Sequence, residues 1–253
     1  MVDSAAGSEL QAFRAPGDAT PPPTRRAVTL LTVVHGWLPD VERWLLSVFT
    51  HTKADFEAVV VDNSGDPRIA GALERRAAER LRVVTLDPPL GWAAAANAGV
   101  HAAGAEVIVL LDPGVELKGD AASALVEALA DPSVVVAGPF GLRGKGTMKE
   151  FAESAGPEVD AIEGYCMGFR RADVAAVDGF DPKFRFYRRA DVELSFRLRS
   201  RGGRAVVVEA PVERHEHRLW EATEAAERER LSRRNTYRFL DRWRDREDLL
   251  VGQ

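Results

Sequence analysis

The sequence predicts an α/β fold with a mostly parallel central sheet flanked by helices and a smaller mixed-sheet extension. Three observations predict it. The apolar runs 27–34, 58–61 and 106–111 are rich in Val, Ile and Leu and do not alternate with polar residues, as expected of strands buried on both faces of a parallel sheet. Segments with helical spacing of apolar residues separate them, which is the pattern of βαβ units with right-handed crossovers. Beyond residue 130 the strand candidates shorten and Gly-rich, charged loops divide them, which predicts the mixed extension.

Element by element, Ala27–Val34 reads as the first strand. After Pro39-Asp40, the positions Val41, Trp44, Leu45 and Val48 mark a helix to Thr50. Ala58–Val61 is the second strand, closed by Asp62-Asn63-Ser64-Gly65, and a charged helix follows over 67–80. Leu81–Leu86 and Glu106–Leu111 are further strands, separated by an Ala-rich helix over 90–103. In the second half, 134–137, 165–170 and 205–208 are strand candidates. Phe140–Pro157, with four glycines and several charges, reads as a mobile loop. A helix starting near Asp191 pairs Val192 with Phe196 and Leu194 with Leu198 at i,i+4 and stops at Gly202-Gly203. A long salt-laced helix is expected over 221–248.

Composition narrows the function classes. At 253 residues, 45% hydrophobic, the chain has enough apolar material for one domain, expected over 26–248 with the last helix included. Residues 1–25, with Pro21-Pro22-Pro23, read as a disordered leader. A net charge of −5 gives no basic field for nucleic acid. No apolar run approaches the span of about 18 residues that crosses a membrane, so membrane contact would be peripheral. The single cysteine, Cys166, allows no intramolecular disulfide framework, which suits a reducing, cytoplasmic setting.

Ligands of an open parallel sheet bind beyond the carboxyl ends of its strands, and acidic residues recur there. Asp62 and Asp112 each end an apolar strand, although each also has a turn explanation, through Asn63-Ser64-Gly65 and Pro113-Gly114. Asp191 stands at a loop-to-helix junction; an N-terminal cap is its plain local reading, but a carboxylate aimed into a cleft by a rigid helix also suits chemistry. His215-Glu216-His217 places two imidazoles on one side of an extended chain, either a surface triplet or a metal site needing oxygen ligands. No Gly-x-Gly-x-x-Gly follows the first strand, and no Gly-Lys-Ser/Thr loop or Gly-x-Ser-x-Gly elbow occurs, which argues against dinucleotide enzymes, P-loop phosphotransferases and serine hydrolases.

Taken in order, Val60-Val61-Asp62-Asn63-Ser64, Leu90-Gly91-Trp92 through Asn97-Ala98-Gly99, Leu110-Leu111-Asp112-Pro113, Gly164–Arg171, Gly179-Phe180-Asp181 through Asp191, His215 and Arg233-Arg234-Asn235 resemble a family 2 glycosyltransferase, especially its bacterial rhamnosyltransferase-like branch. The resemblance covers roughly 27–242. It implies a GT-A fold, a single Rossmann-like domain, and inverting hexosyl transfer from a nucleotide-diphosphate sugar to an acceptor hydroxyl. Asp191 would be the general base. Asp62, Asn63, Gly91, Trp92, Asn97 and Asp112 would bind the nucleotide sugar, and Asp112 with His215 would hold a divalent cation, Mn or Mg. The acceptor, whether glycan, lipid-linked glycan, small molecule or protein, is left open.

Two departures stand out. Gly114 occupies the place of the family's second acidic residue, and Ala190 that of a Glu before the base; Arg188 or Arg189 would be a source of positive charge near a phosphate. They keep a second reading in view, a catalytically degenerate nucleotide-binding or partner-binding module. A sugar nucleotidyltransferase is disfavoured by His35-Gly36-Trp37, which replaces a Gly-rich basic phosphate loop.

Overall fold

The computed structural model describes residues 26–77 and 79–252, so the expected leader over 1–25 lies outside the described residues. Four parallel strands open the fold: β1 (Val28–Val34), β2 (Phe56–Asp62), β3 (Leu81–Thr85) and β4 (Val107–Leu111). They alternate with α1 (Leu38–His51), α2 (Pro67–Glu74) and α3 (Trp92–Ala102). Every residue of β1, β2 and β4 is buried. Adjacent side chains point to opposite faces, so Leu30 joins one apolar layer with Trp44 and Val48 of α1, and Leu31 joins the other with Ala95 and Ala96 of α3. Helix α2 ends earlier than its charged pattern suggests, because Ala77 N bonds Glu74 O and Arg76 donates to Ala72 O, tightening the last turn.

The second half is mixed, as expected, and more elaborate. Its elements are β5 (Val115–Leu117), α4 (Ala121–Ala128), β6 (Val134–Gly138), β7 (Gly141–Gly144), β8 (Phe151–Ser154), β9 (Glu158–Val159), β10 (Ala161–Ile162), β11 (Cys166–Arg170), α5 (Arg171–Ala175), α6 (Ala190–Arg199), β12 (Arg204–Val207), β13 (Val212–Arg214), α7 (Arg218–Ala222) and α8 (Ala225–Trp243). The eight-stranded sheet runs β3-β2-β1-β4-β11-β6-β12-β9, with β11 antiparallel to both neighbours. A three-stranded sheet, β10-β7-β8, and a two-stranded one, β13-β5, complete the extension.

Two expectations are corrected. The segment 140–157 is not a loose loop: β7 and β8 pair as an antiparallel hairpin, and Phe151 packs edge-on against Phe196 of α6 and Phe239 of α8, each with ring centroids 5.8 Å away. Gly141 serves close packing there, since a Cβ would lie 2.5 Å from Val207. The long C-terminal helix is two helices, because Thr223 is extended after α7. Helix α8 buries Asn235, Phe239 and Trp243 on one stripe, while its other side carries Glu227–Arg230 and Glu229–Arg233 ion pairs.

The two halves are joined at α3. The buried Asn97 accepts a bond from Phe180 N and donates to Phe180 O, both 2.7 Å. Gly179 has φ 72° and its missing Cβ would meet Asn97 Oδ1 at 2.5 Å, so both the conformation and the closeness require glycine. Trp92 N and Ala93 N, first in α3, bond the carbonyls of Arg185 and Phe184. That helix end is therefore capped by protein, and the segment leading to α6 is fixed to it.

Candidate functional site

A cleft of about 220 Å³ opens between the carboxyl end of β4, the turn before β11, the start of α6 and the segment before α7; its lining includes Trp92, Asp112, Glu163, Tyr165, Tyr187, Arg188, Asp191 and His217. A smaller pocket beside it shares Trp92, Asp112 and His217 and adds His35 and Asp40. Asp112 and Asp191, 79 positions apart in the chain, thus line one space.

Asp191 sits in the first turn of α6; the cap position is Arg189, held at φ 68°. The local cap reading therefore does not hold. Its Oδ2 accepts from Gly164 N at 2.8 Å and its Oδ1 from Val192 N at 2.8 Å. Burial pushes its carboxyl above the usual carboxylate range, against the pull of these two N–H groups and of Arg188. A carboxylate held this way is oriented by backbone and has its proton affinity raised by its surroundings. The loop before it is pinned by the fully buried Asn235, which donates to Phe186 O and Arg188 O, both 2.8 Å.

Asp112 Oδ1 accepts from Gly114 N at 2.7 Å, and Oδ2 lies 3.2 Å from His217 Nε2. Burial raises its pKa too, with His217 opposing the shift. Gly114 is sterically required. A Cβ there would lie 2.8 Å from Glu216 O and 2.9 Å from Asp112 Oδ1, so a second carboxylate at this position conflicts with the chain that delivers His217.

The two imidazoles of the His215-Glu216-His217 triplet part company. His215 N bonds Gly114 O, but the ring's Nε2 lies 2.9 Å from Glu116 Oε2, not at Asp112. Pairing of β13 with β5 sets this, because it aligns Glu213 with Glu116 just before His215. Glu116, Glu213 and His215 form a group with metal-ligating donor atoms within 4.8 Å of one another, but Lys118 Nζ lies 2.7 Å from Glu116 and 2.9 Å from Glu213, where it offsets one of the two negative charges and occupies an oxygen of each. The histidine beside Asp112 is His217, stacked on Tyr187 with ring centroids 3.8 Å apart.

The remaining sequence candidates divide into wall and brace. Trp92 lines both pockets and is 8% exposed. Gly91 lets the chain pass Arg185, whose Cα would be 2.9 Å from a Cβ. Asp62 Oδ1 is taken by Ser64 N and Oγ, the Asx-type turn. Asn63 exchanges two bonds with Leu90 and reaches His35 Nδ1 at 3.3 Å. Asn97 spends its amide on Phe180, so it positions the site from behind. Glu163, Tyr165 and Tyr187 also belong to the cleft; the two tyrosines fall inside the matched stretches 164–171 and 179–191 without being singled out there, and Glu163 lies one residue outside.

A divalent cation fits the donor set in a minimal form. One carboxylate oxygen and one imidazole nitrogen, Asp112 Oδ2 and His217 Nε2, suit Mn²⁺, and both face the shared wall of the two pockets.

No curated protein sequence matches this chain. Among solved structures, it resembles GalNAc-T7 with UDP, GalNAc and Mn²⁺, with a TM-score of 0.70 and 17% identity over 88% of this chain and 49% of that one. It also resembles the mannosyltransferase PcManGT from Pyrobaculum calidifontis in complex with GDP-Man and Mn²⁺, with a TM-score of 0.58 and 20% identity over 84% of this chain and 65% of that one. The chain thus spans about half of the first neighbour's length and under two thirds of the second's. The fold is GT-A. The profile described as Glycosyl transferase family 2 matches residues 30–194, and the chain belongs to that family.

Proposed function

We propose that this chain is an inverting transferase that moves a hexosyl group from a nucleotide-diphosphate sugar to an acceptor hydroxyl. The observation that carries the proposal is Asp191, a base aimed by Gly164 into the cleft that Asp112 also lines. The acceptor oxygen bonds to the anomeric carbon as the carbon–oxygen bond to the diphosphate breaks. The electron pair leaves with the nucleoside diphosphate, and the acceptor's proton passes to Asp191. In this reading attack comes from the Asp191 side and the diphosphate departs toward Asp112 and His217, on the opposite face of the sugar, so the configuration inverts.

Asp62, Asn63, Gly91 and Trp92 form the donor side of this reading, with Asn97 bracing it. A divalent cation, Mn or Mg, would be held by Asp112 and His217, and when bound it would neutralise the charge of the diphosphate. His215, engaged with Glu116, is left outside this set. Arg188, which faces the same cleft, adds positive charge. The nucleotides and Mn²⁺ in the two structural neighbours support a nucleotide-sugar donor and a cation. Among the described residues no helix is long and apolar enough to cross a membrane, and the lone buried Cys166 suits a reducing compartment, so we place the reaction in the cytoplasm.

Thermal shift of the full chain with UDP-, GDP- and dTDP-sugars, with and without Mn²⁺, tests the donor. One nucleotide sugar should stabilise the fold, by about 2.7 kcal/mol at a hundredfold excess over Kd, and more strongly with Mn²⁺. No shift from any nucleotide sugar in either condition would reject the reading. Stabilisation without transfer or donor hydrolysis would favour the second reading, a nucleotide-binding module, for which Gly114 is the specific observation.

A further inference from the structure

The base end of the cleft holds a second carboxylate that the transfer step does not use. Glu163 stands next to Gly164, whose N–H holds Asp191, and lines the cleft with 17% of its side chain exposed. Arg214 Nη1 contacts Glu163 Oε2 at 3.1 Å, and that guanidinium lies 4.3 Å from the Phe140 ring centroid and 5.2 Å from that of Tyr165. The carboxylate is thus braced by a guanidinium that two aromatic rings hold in place. A carboxylate oxygen accepts hydrogen bonds from hydroxyls, so Glu163 beside Asp191, in a cleft that Asp112 and Glu153 also line, is suited to a ligand with more than one O–H donor.

We propose that Glu163 reads the acceptor: its carboxylate accepts a hydrogen bond from a second hydroxyl while Asp191 engages the attacking one, so the acceptor is a carbohydrate. A single-hydroxyl acceptor such as a Ser or Thr side chain or a fatty alcohol leaves the Glu163 carboxylate with Arg214 alone. Burial and the neighbouring Asp191 push the Glu163 carboxyl up to about 7, with Arg214 and Arg188 opposing and Glu153 adding to the rise. A hydroxyl donor would offset part of that burden on the ionised form. The inference rests on the transferase reading.

With the donor found by thermal shift, initial rates are measured on methyl glycosides, their monodeoxy derivatives, a Thr peptide and octanol. At least one glycoside should accept sugar while the peptide and octanol do not. Removing one hydroxyl other than the attacking one should raise the acceptor KM about tenfold. Glu163→Gln should raise it similarly, be indifferent to that deoxy change, and keep donor Kd unchanged; Glu163→Asp, which retains the charge, should recover part of the affinity. Peptide or octanol used as well as the glycosides would overturn the inference. So would an unchanged acceptor KM in Glu163→Gln, or an effect confined to donor Kd. A donor shift with no glycoside transfer sinks the carbohydrate acceptor alone, whereas no donor shift sinks the transferase reading itself.

Discussion

The half built on β1 to β4 and the half that follows treat their polar residues in opposite ways. In the first, strand-end acids are satisfied by their own neighbours: Asp62 by Ser64, and Asp112 by Gly114, each two residues on. In the second, functional contacts cross long stretches of chain. Gly164 holds Asp191, Arg214 braces Glu163, Asn235 pins Phe186 and Arg188, and His217 reaches back to Asp112. The parallel half forms an edge whose acids are held by local contacts, and the mixed half brings Asp191, Glu163 and His217 to it through contacts between distant segments. A site of this design loses chemistry when the second half is altered, and loses its frame when the joint between the halves is cut.

Asp191→Asn separates chemistry from frame most sharply. Transfer should fall by about 10² to 10⁴, the range for a general base, with donor binding unchanged in the same thermal-shift assay. The wild-type rate should also depend on pH in a defined direction. Asp191 must be ionised to take a proton, and burial raises its pKa, so kcat should fall with decreasing pH before ordinary carboxylates are protonated. A flat profile down to the normal carboxylate range would contradict that assignment.

Asn97→Ala cuts the joint. Phe180 N and Phe180 O would both be left buried without partners, at about 1–3 kcal/mol each, which a denaturant melt would register; a loss below about 0.5 kcal/mol would show that water or repacking replaces the amide. His217→Ala and His215→Ala then test the division of the triplet. The first should weaken Mn²⁺-dependent donor binding by about 10- to 100-fold, the range seen when metal-supporting groups are removed. The second should stay within about twofold, as for a surface change away from the site. The reverse ranking would return the metal to His215.

The same contrast explains what the sequence reveals. Continuous apolar runs made β1, β2 and β4 legible, because a strand buried on both faces leaves no polar alternation. The GT-A fold and the family were also legible, since the motifs occur in order. Less visible was anything fixed by pairing between distant segments. Four glycines in 140–157 suggest looseness, whereas Gly141 is there to let Val207 and Ser154 approach. His215 and His217 look equivalent in the chain, and only the register of β13 on β5 separates them. Glu163 has no local pattern, because its surroundings come from Asp191, Arg214 and Phe140, all more than twenty residues away.

The central claim is that Asp191 and Asp112 act on opposite faces of the transferred sugar. Proton NMR of the transfer product formed from a donor of known anomeric configuration tests it directly. The new glycosidic bond should have the inverted configuration, with its anomeric coupling constant changed accordingly. A product that retains the donor's configuration would contradict the assignment of Asp191 as the base of a single displacement.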